Sequence, residues 1–195
     1  FSPVMSRKIR PKVPRLFQPV WKANRLKYML LNLPNPPGRN IYRGYAGDFG
    51  LAGTMQDETL LPIHLLYGAS AVKKRQCEYD VLDAQVLRYD SDRVVDEVRK
   101  SSPDVLFSWL SLPSIRDDLA LLDQIKRSTP EAIVVALGAV CNVMPEEVLL
   151  KSNVDLAVSG WYPHYSLISG LVEALQGNRP DQDTFDKIGG VRYAR

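Results

Sequence analysis

Val105-Leu106-Phe107-Ser108-Trp109-Leu110-Ser111-Leu112-Pro113 and, one helical segment later, Ile133-Val134-Val135-Ala136-Leu137-Gly138-Ala139-Val140 decide the fold of this chain. Each opens on a short, unbroken apolar run rather than an alternating one. Strands buried on both faces of a parallel sheet have that composition. Leu156-Ala157-Val158 repeats the pattern downstream. Upstream, Tyr28-Met29-Leu30-Leu31-Asn32-Leu33 and Tyr79-Asp80-Val81-Leu82-Asp83 supply two more strands, the first closed by Pro34.

Helical periodicities separate these runs. Leu61, Leu65, Leu66, Ala69 and Val72 recur at helical spacing, as do Val94, Val95 and Val98. Ile115, Leu119, Leu122 and Ile125 mark a third helix, with Ser114 and Asp117 placed as a capping pair. Pro145-Glu146-Glu147 opens a fourth, with proline in the first turn and acids at the positive end of the dipole. Leu167, Ile168, Leu171, Val172 and Leu175 form a fifth, which Gly177 ends. Strands alternating with helices specify an α/β doubly wound parallel sheet of five strands. Right-handed crossovers leave few topologies, and the flavodoxin-like order 2-1-3-4-5 is expected.

Three segments follow from this. Residues 1–26 form a basic, proline-containing extension, 27–177 the α/β domain, and 178–195 a linker that starts half a hairpin at Ile188-Gly189-Gly190-Val191-Arg192-Tyr193. With 195 residues, one domain with appendages is the default. Residues 1–27 carry eight basic side chains and no acid, leaving 17 basic against 22 acidic in the rest, a balance of −5. An acidic body makes a nucleic-acid partner the poorer expectation. No apolar run approaches the roughly 20 residues of a membrane span, so none is expected, and a cytoplasmic protein is. Cys77 and Cys141 stand too far apart for a metal-site spacing and are expected to be inert.

Ligands of such sheets bind beyond the carboxyl ends of the strands, where strand order reverses. The connection after the first strand runs some 26 residues from Pro34, against about 2–6 for an ordinary connection. Its Pro36, Pro37, Arg39, Arg43 and Tyr45, together with Gly38, Gly44, Gly47 and Gly50, are candidate contacts. After the third strand come Ser108, Trp109, Leu110 and Ser111, and after the fourth Gly138, Ala139 and Val140, small enough to let a bulky ligand approach the backbone. Gly160, Trp161 and Tyr162 follow the fifth. No Gly-x-Gly-x-x-Gly, phosphate-loop lysine or nucleophile elbow is present. His64 sits in an apolar helical pattern and His164 near a helix start, neither with a metal-ligand neighbour. No catalytic residues are assigned.

Six segments, in order, resemble the amino-terminal cobalamin-binding domain of cobalamin-dependent radical S-adenosylmethionine enzymes. They are Leu31-Asn32-Leu33-Pro34-Asn35-Pro36-Pro37, Pro62-Ile63-His64-Leu65-Leu66-Tyr67-Gly68-Ala69 with His64 in place of a glycine, and Val81-Leu82-Asp83-Ala84. Ser108-Trp109-Leu110 is similar to the Ser-x-Leu turn of that family, and Leu137-Gly138-Ala139-Val140 to its Gly-Gly segment with Leu137 replacing the first glycine. Asp155-Leu156-Ala157-Val158-Ser159-Gly160 resembles its last strand, where Trp161, Tyr162 and His164 depart from the usual acidic pattern.

The resemblance implies a bound cobalamin, with the nucleotide tail beside Ser108 and Leu110. It also implies a parent methyltransferase in which cobalamin carries the methyl group. A downstream radical domain, outside these residues, would supply the [4Fe-4S] cluster and S-adenosylmethionine. The loop after the first strand has no histidine, with Gly50 of Asp48-Phe49-Gly50-Leu51-Ala52-Gly53 where a ligating one would stand. A base-off cofactor without a histidine ligand is therefore expected, its lower face covered by water or by Arg39, Arg43 or Tyr45. Two other readings share the architecture: a flavodoxin-like FMN protein, and a cofactor-free regulatory or interaction module.

Overall fold

The computed structural model describes residues 26–53, 61–158, 165–176, 185, 188 and 190–193. Its main sheet is built from β1 (Lys27–Asn32), β4 (Glu78–Asp83), β5 (Val105–Trp109), β6 (Ile133–Leu137), β7 (Leu156–Val158) and β8 (Val191–Tyr193). A separate hairpin pairs β2 (Asn40–Tyr42) with β3 (Leu51–Gly53). The strand order is β4-β1-β5-β6-β7-β8. The first five are parallel and stand in the expected order 2-1-3-4-5. The sixth corrects the sequence reading: Val191–Tyr193 runs antiparallel along β7 instead of starting a separate hairpin. Phe185 and Val191 are buried with the core, so the folded unit extends beyond residue 177.

Strand alternation divides the core into two layers. Tyr28, Leu30, Phe107, Trp109, Val135 and Leu137 face α1 (Ile63–Lys74) and α6 (Tyr165–Gln176). Met29, Leu31, Leu106, Val134 and Ala136 face α2 (Ser91–Ser101), α3 (Ile115–Ser128) and α5 (Pro145–Leu150). A short α4 (Val140–Val143), not anticipated from periodicity, precedes α5. Each fully buried aliphatic side chain contributes about 1.5–3 kcal/mol, so continuous apolar runs on β5 and β6 anchor both layers.

Two helix readings need correcting. The buried face of α1 is His64, Leu65, Gly68, Ala71 and Val72, whereas Leu61 lies before the helix and Leu66 is half exposed. Gly68 occupies that face because a Cβ there would collide with Leu30 and with Trp109. At α3, Ser114 caps no backbone N–H, and its hydroxyl donates to Asp118 instead of pairing with Asp117.

Candidate functional site

The carboxyl ends of β4, β1, β5 and β6 meet under the long connection after β1. That connection is tied down by one buried ion pair. Arg43, 3% exposed, donates from Nη1 to Leu33 O (2.7 Å), and from Nη2 to Pro34 O (3.3 Å) and Asp118 Oδ1 (2.6 Å). Asp118 Oδ2 accepts from Ser111 N (3.0 Å) and Ser114 Oγ (2.9 Å). Burial pushes the Asp118 carboxyl up, against the downward pull of the Arg43 guanidinium and the serine donors. Asp118 stands three and four residues before Leu121 and Leu122 on the buried side of α3. An acid on an apolar helical face was the available signal for it, and sequence reasoning missed it.

From Arg43 the loop runs across the strand ends. Phe49 O accepts from Leu112 N (2.7 Å) and Asp48 O from Ala139 N (3.3 Å). Gly50 packs so closely that a Cβ would lie 2.5 Å from Ser111 Cβ. The loop holds this path through positive φ at Ala46, Gly47, Asp48 and Gly50. For Ala46 and Asp48 that conformation costs about 1–2 kcal/mol each, which the hydrogen bonds and the Arg43 anchor offset.

The sequence-predicted residues therefore separate into groups. Ser108, Trp109, Leu110, Ser111, Gly138, Ala139 and Val140 do converge on the carboxyl edge, all buried. Ser108 and Trp109 belong to β5 itself rather than to the loop after it. Gly138 has φ +114°, and a Cβ there would lie 2.8 Å from Leu110 O and 3.8 Å from Asp48 O. Glycine is required at 138 by its own backbone and by the approach of Leu110 O, and Asp48 O of the covering loop stands in ordinary contact above it. Pro36 is buried and Pro37 exposed, in a turn closed by Arg39 N donating to Pro36 O (3.1 Å). Arg39 is exposed and engaged by Asp117 (2.7 Å) and Pro113 O (3.1 Å). Tyr45 is half exposed, edge-on to Tyr42. Gly160, Trp161, Tyr162 and His164 lie outside the described residues.

Two polar atoms of β5 fall on opposite faces of the sheet, and neither has a hydrogen-bond partner among the described residues: Ser108 Oγ and Trp109 Nε1. Native interiors seldom leave such groups unpaired, and each lost hydrogen bond costs about 1–3 kcal/mol. The Trp109 ring packs against His64 (centroids 4.9 Å), which is 5% exposed. His64 thus behaves as the packed histidine its helical pattern suggested. It also lines an open cleft of about 60 Å³ beside Asn32, Tyr42, Arg43, Tyr45 and Gln85. Asn32, His64 and Gln85 were not among the predicted contacts. The cleft is small against the roughly 300–1,000 Å³ of a site that encloses a cofactor, so a large ligand would lie across this edge rather than within it.

Other titratable groups offer little chemistry. The Cys141 thiol is pushed up to about 12 by burial. Among the described residues no cluster of three His, Cys, Asp or Glu side chains is arranged to hold a metal, and no helix is long and apolar enough to cross a membrane.

In a doubly wound α/β sheet of this kind, ligands bind at the carboxyl edge where the strand order reverses. The particular family is defined by sequence: a model of the B12 binding domain matches residues 57–165, more than half of the chain. The chain belongs to that family. No curated protein sequence matches it.

Among solved structures, the fold is similar to part of TsrM, a radical S-adenosylmethionine methyltransferase from Kitasatospora setae, with cobalamin and a [4Fe-4S] cluster bound. Identity is 19%, coverage 88% of this chain and 29% of that one, and the TM-score 0.64. It is also similar to part of OxsB, a cobalamin-dependent S-adenosylmethionine radical enzyme, with aqua-cobalamin and S-adenosylmethionine bound. Here identity is 15%, coverage 89% and 21%, and the TM-score 0.66. This chain therefore spans less than a third of either structure.

Proposed function

We propose that this chain is the corrinoid-holding part of a larger cytoplasmic radical S-adenosylmethionine enzyme, and that the parent is a methyltransferase. The observation that carries the reading is the carboxyl edge of β5. There a member of the B12 binding domain family leaves Ser108 Oγ and Trp109 Nε1 buried without partners among the described residues. A nucleotide tail rich in donors and acceptors, lying on the Ser108 face of β5, would satisfy that hydroxyl. Both atoms stand in the Ser108-Trp109-Leu110 segment that the resemblance places beside that tail. When bound, cobalamin supplies a carrier for a methyl group between S-adenosylmethionine and an acceptor.

The chain's own residues bind and orient. Ser108 would hold the tail on its face of the sheet, and residues 48–50 would leave the strand ends to admit it, freeing Leu112 N and Ala139 N. Tyr45, Leu61 and Ile63, all about half exposed or more, offer apolar cover around the cleft. Of the three side chains expected near the lower face, Arg43 is committed to Asp118 and Arg39 to Asp117, which leaves Tyr45. His64, packed on Trp109, supports a base-off cofactor without histidine ligation. An FMN reading lacks support at the first loop, where Pro34, Pro36 and Pro37 offer no backbone N–H to a phosphate.

Reconstitution tests this. The chain incubated with hydroxocobalamin, then desalted, is expected to retain a corrinoid absorption spectrum, and not to retain FMN. Electron paramagnetic resonance of the reduced cob(II)alamin form is expected to lack splitting from a strongly coupled axial nitrogen. Retention of flavin alone would overturn the corrinoid reading. A strong nitrogen splitting would overturn the ligation state.

A further inference from the structure

The cleft beside β1 and the start of α1 carries two unsatisfied groups of opposite kind. Asn32 and Arg43 both line it, 2% and 3% exposed. Asn32 Nδ2 donates to Asp83 Oδ1 (2.8 Å), which turns Asn32 Oδ1 away from that bond as an acceptor without a donor among the described residues. Arg43 spends Nη1 and Nη2 on Leu33, Pro34, Ser114 and Asp118, and its Nε is a donor without an acceptor among the described residues. One buried donor and one buried acceptor, on two residues that line one small cleft, are the complement of a primary carboxamide, whose carbonyl accepts and whose NH₂ donates. At about 60 Å³ the cleft suits a group of that size and no larger ring. A carboxylate would suit it worse, because it brings no N–H to Asn32 Oδ1 and adds negative charge next to the Asn32–Asp83 pair.

Resting on the corrinoid reading, we propose that this cleft is a specificity subsite for one of the acetamide or propionamide arms on the corrin rim. Arg43 Nε donates to the arm's carbonyl, and Asn32 Oδ1 accepts from its NH₂. Both protein atoms lie beneath the cleft surface, so the arm enters by parting the side chains above them. Exposed Tyr45 and Leu61 are the lining groups least held by the core. Gly44 belongs to the same lining, with a Cβ position 3.3 Å from His64 Nδ1 and a backbone outside the left-handed region. An added methyl there narrows the cleft without backbone strain.

The test is calorimetric titration of the 195-residue chain with cobalamin, with cobinamide, and with the separate cobalamin monocarboxylates in which one rim amide is hydrolysed to an acid. At least one monocarboxylate is expected to bind about tenfold more weakly than cobalamin, a gap of about 1.4 kcal/mol. Asn32→Leu, which removes the acceptor, and Gly44→Ala, which narrows the cleft, are each expected to shrink that gap to less than about twofold at an unchanged fold by circular dichroism. Equal binding of every monocarboxylate and cobalamin to the native chain would overturn the subsite while leaving the corrinoid reading intact. So would a full gap retained in both variants. Failure of the native chain to bind any of these corrinoids would overturn both.

Discussion

Removing the carboxylate of Asp118 is the most direct way to ask what holds the long connection over the strand ends. In Asp118→Ala the Arg43 guanidinium keeps Leu33 O and Pro34 O but loses its ion-pair partner, at a side-chain exposure of 1%. Ser111 N and Ser114 Oγ also lose the acceptor they share. Stranding a buried charge costs about 3–5 kcal/mol, and a buried unpaired N–H about 1–3 kcal/mol, with overlap between the two. We therefore expect a loss of about 4 kcal/mol, a large fraction of the roughly 5–15 kcal/mol that holds a typical domain.

For a chain of this size that loss corresponds to a fall in Tm of about 8–16 °C. The assay is urea unfolding followed by both circular dichroism and tryptophan fluorescence. Arg43→Met combined with Asp118→Leu supplies the control, since replacing both partners with apolar groups leaves no stranded charge. It is expected to recover at least half of the lost stability. Loss of less than about 1 kcal/mol in Asp118→Ala, or a double variant as unstable as the single one, would refute the reasoning.

Other perturbations separate fold from function. Gly138→Ala is expected to destabilise the chain by about 2–3 kcal/mol in thermal unfolding, because φ +114° and the approach of Leu110 O both exclude a Cβ. Ala46→Gly is expected to raise stability by about 1 kcal/mol by relieving its left-handed backbone, readable as a higher urea midpoint. Ser108→Ala removes an unpartnered buried hydroxyl, so unfolding is expected to be unchanged or up to about 1 kcal/mol more favourable to the native state. Titration of the same variant should show weakened cobalamin binding but unchanged cobinamide binding. The chain alone, with only two cysteines, is expected not to cleave S-adenosylmethionine under reducing conditions, as chromatography of the nucleoside products would report.

What the sequence by itself determined follows from burial on two faces. Val105–Phe107, Ile133–Leu137 and Leu156–Val158 are apolar without interruption because helices cover both sides of a parallel sheet, and that requirement is written residue by residue. The convergence of Ser108, Gly138 and their neighbours was legible for the same reason, since strand ends in a parallel sheet share one edge. Tertiary structure alone decided how that edge is furnished. The path of residues 43–50 depends on a hydrogen bond from Arg43 to Asp118, 75 positions away, and on backbone carbonyls at Asp48 and Phe49 that no side-chain pattern encodes. Strand β8 escaped for a related reason: three residues at a sheet edge gain their pairing from β7, not from a periodicity of their own. Asn32, Arg43 and His64 become one cleft only when β1, the loop and α1 are packed together, because their shared lining is a property of that packing rather than of any one segment.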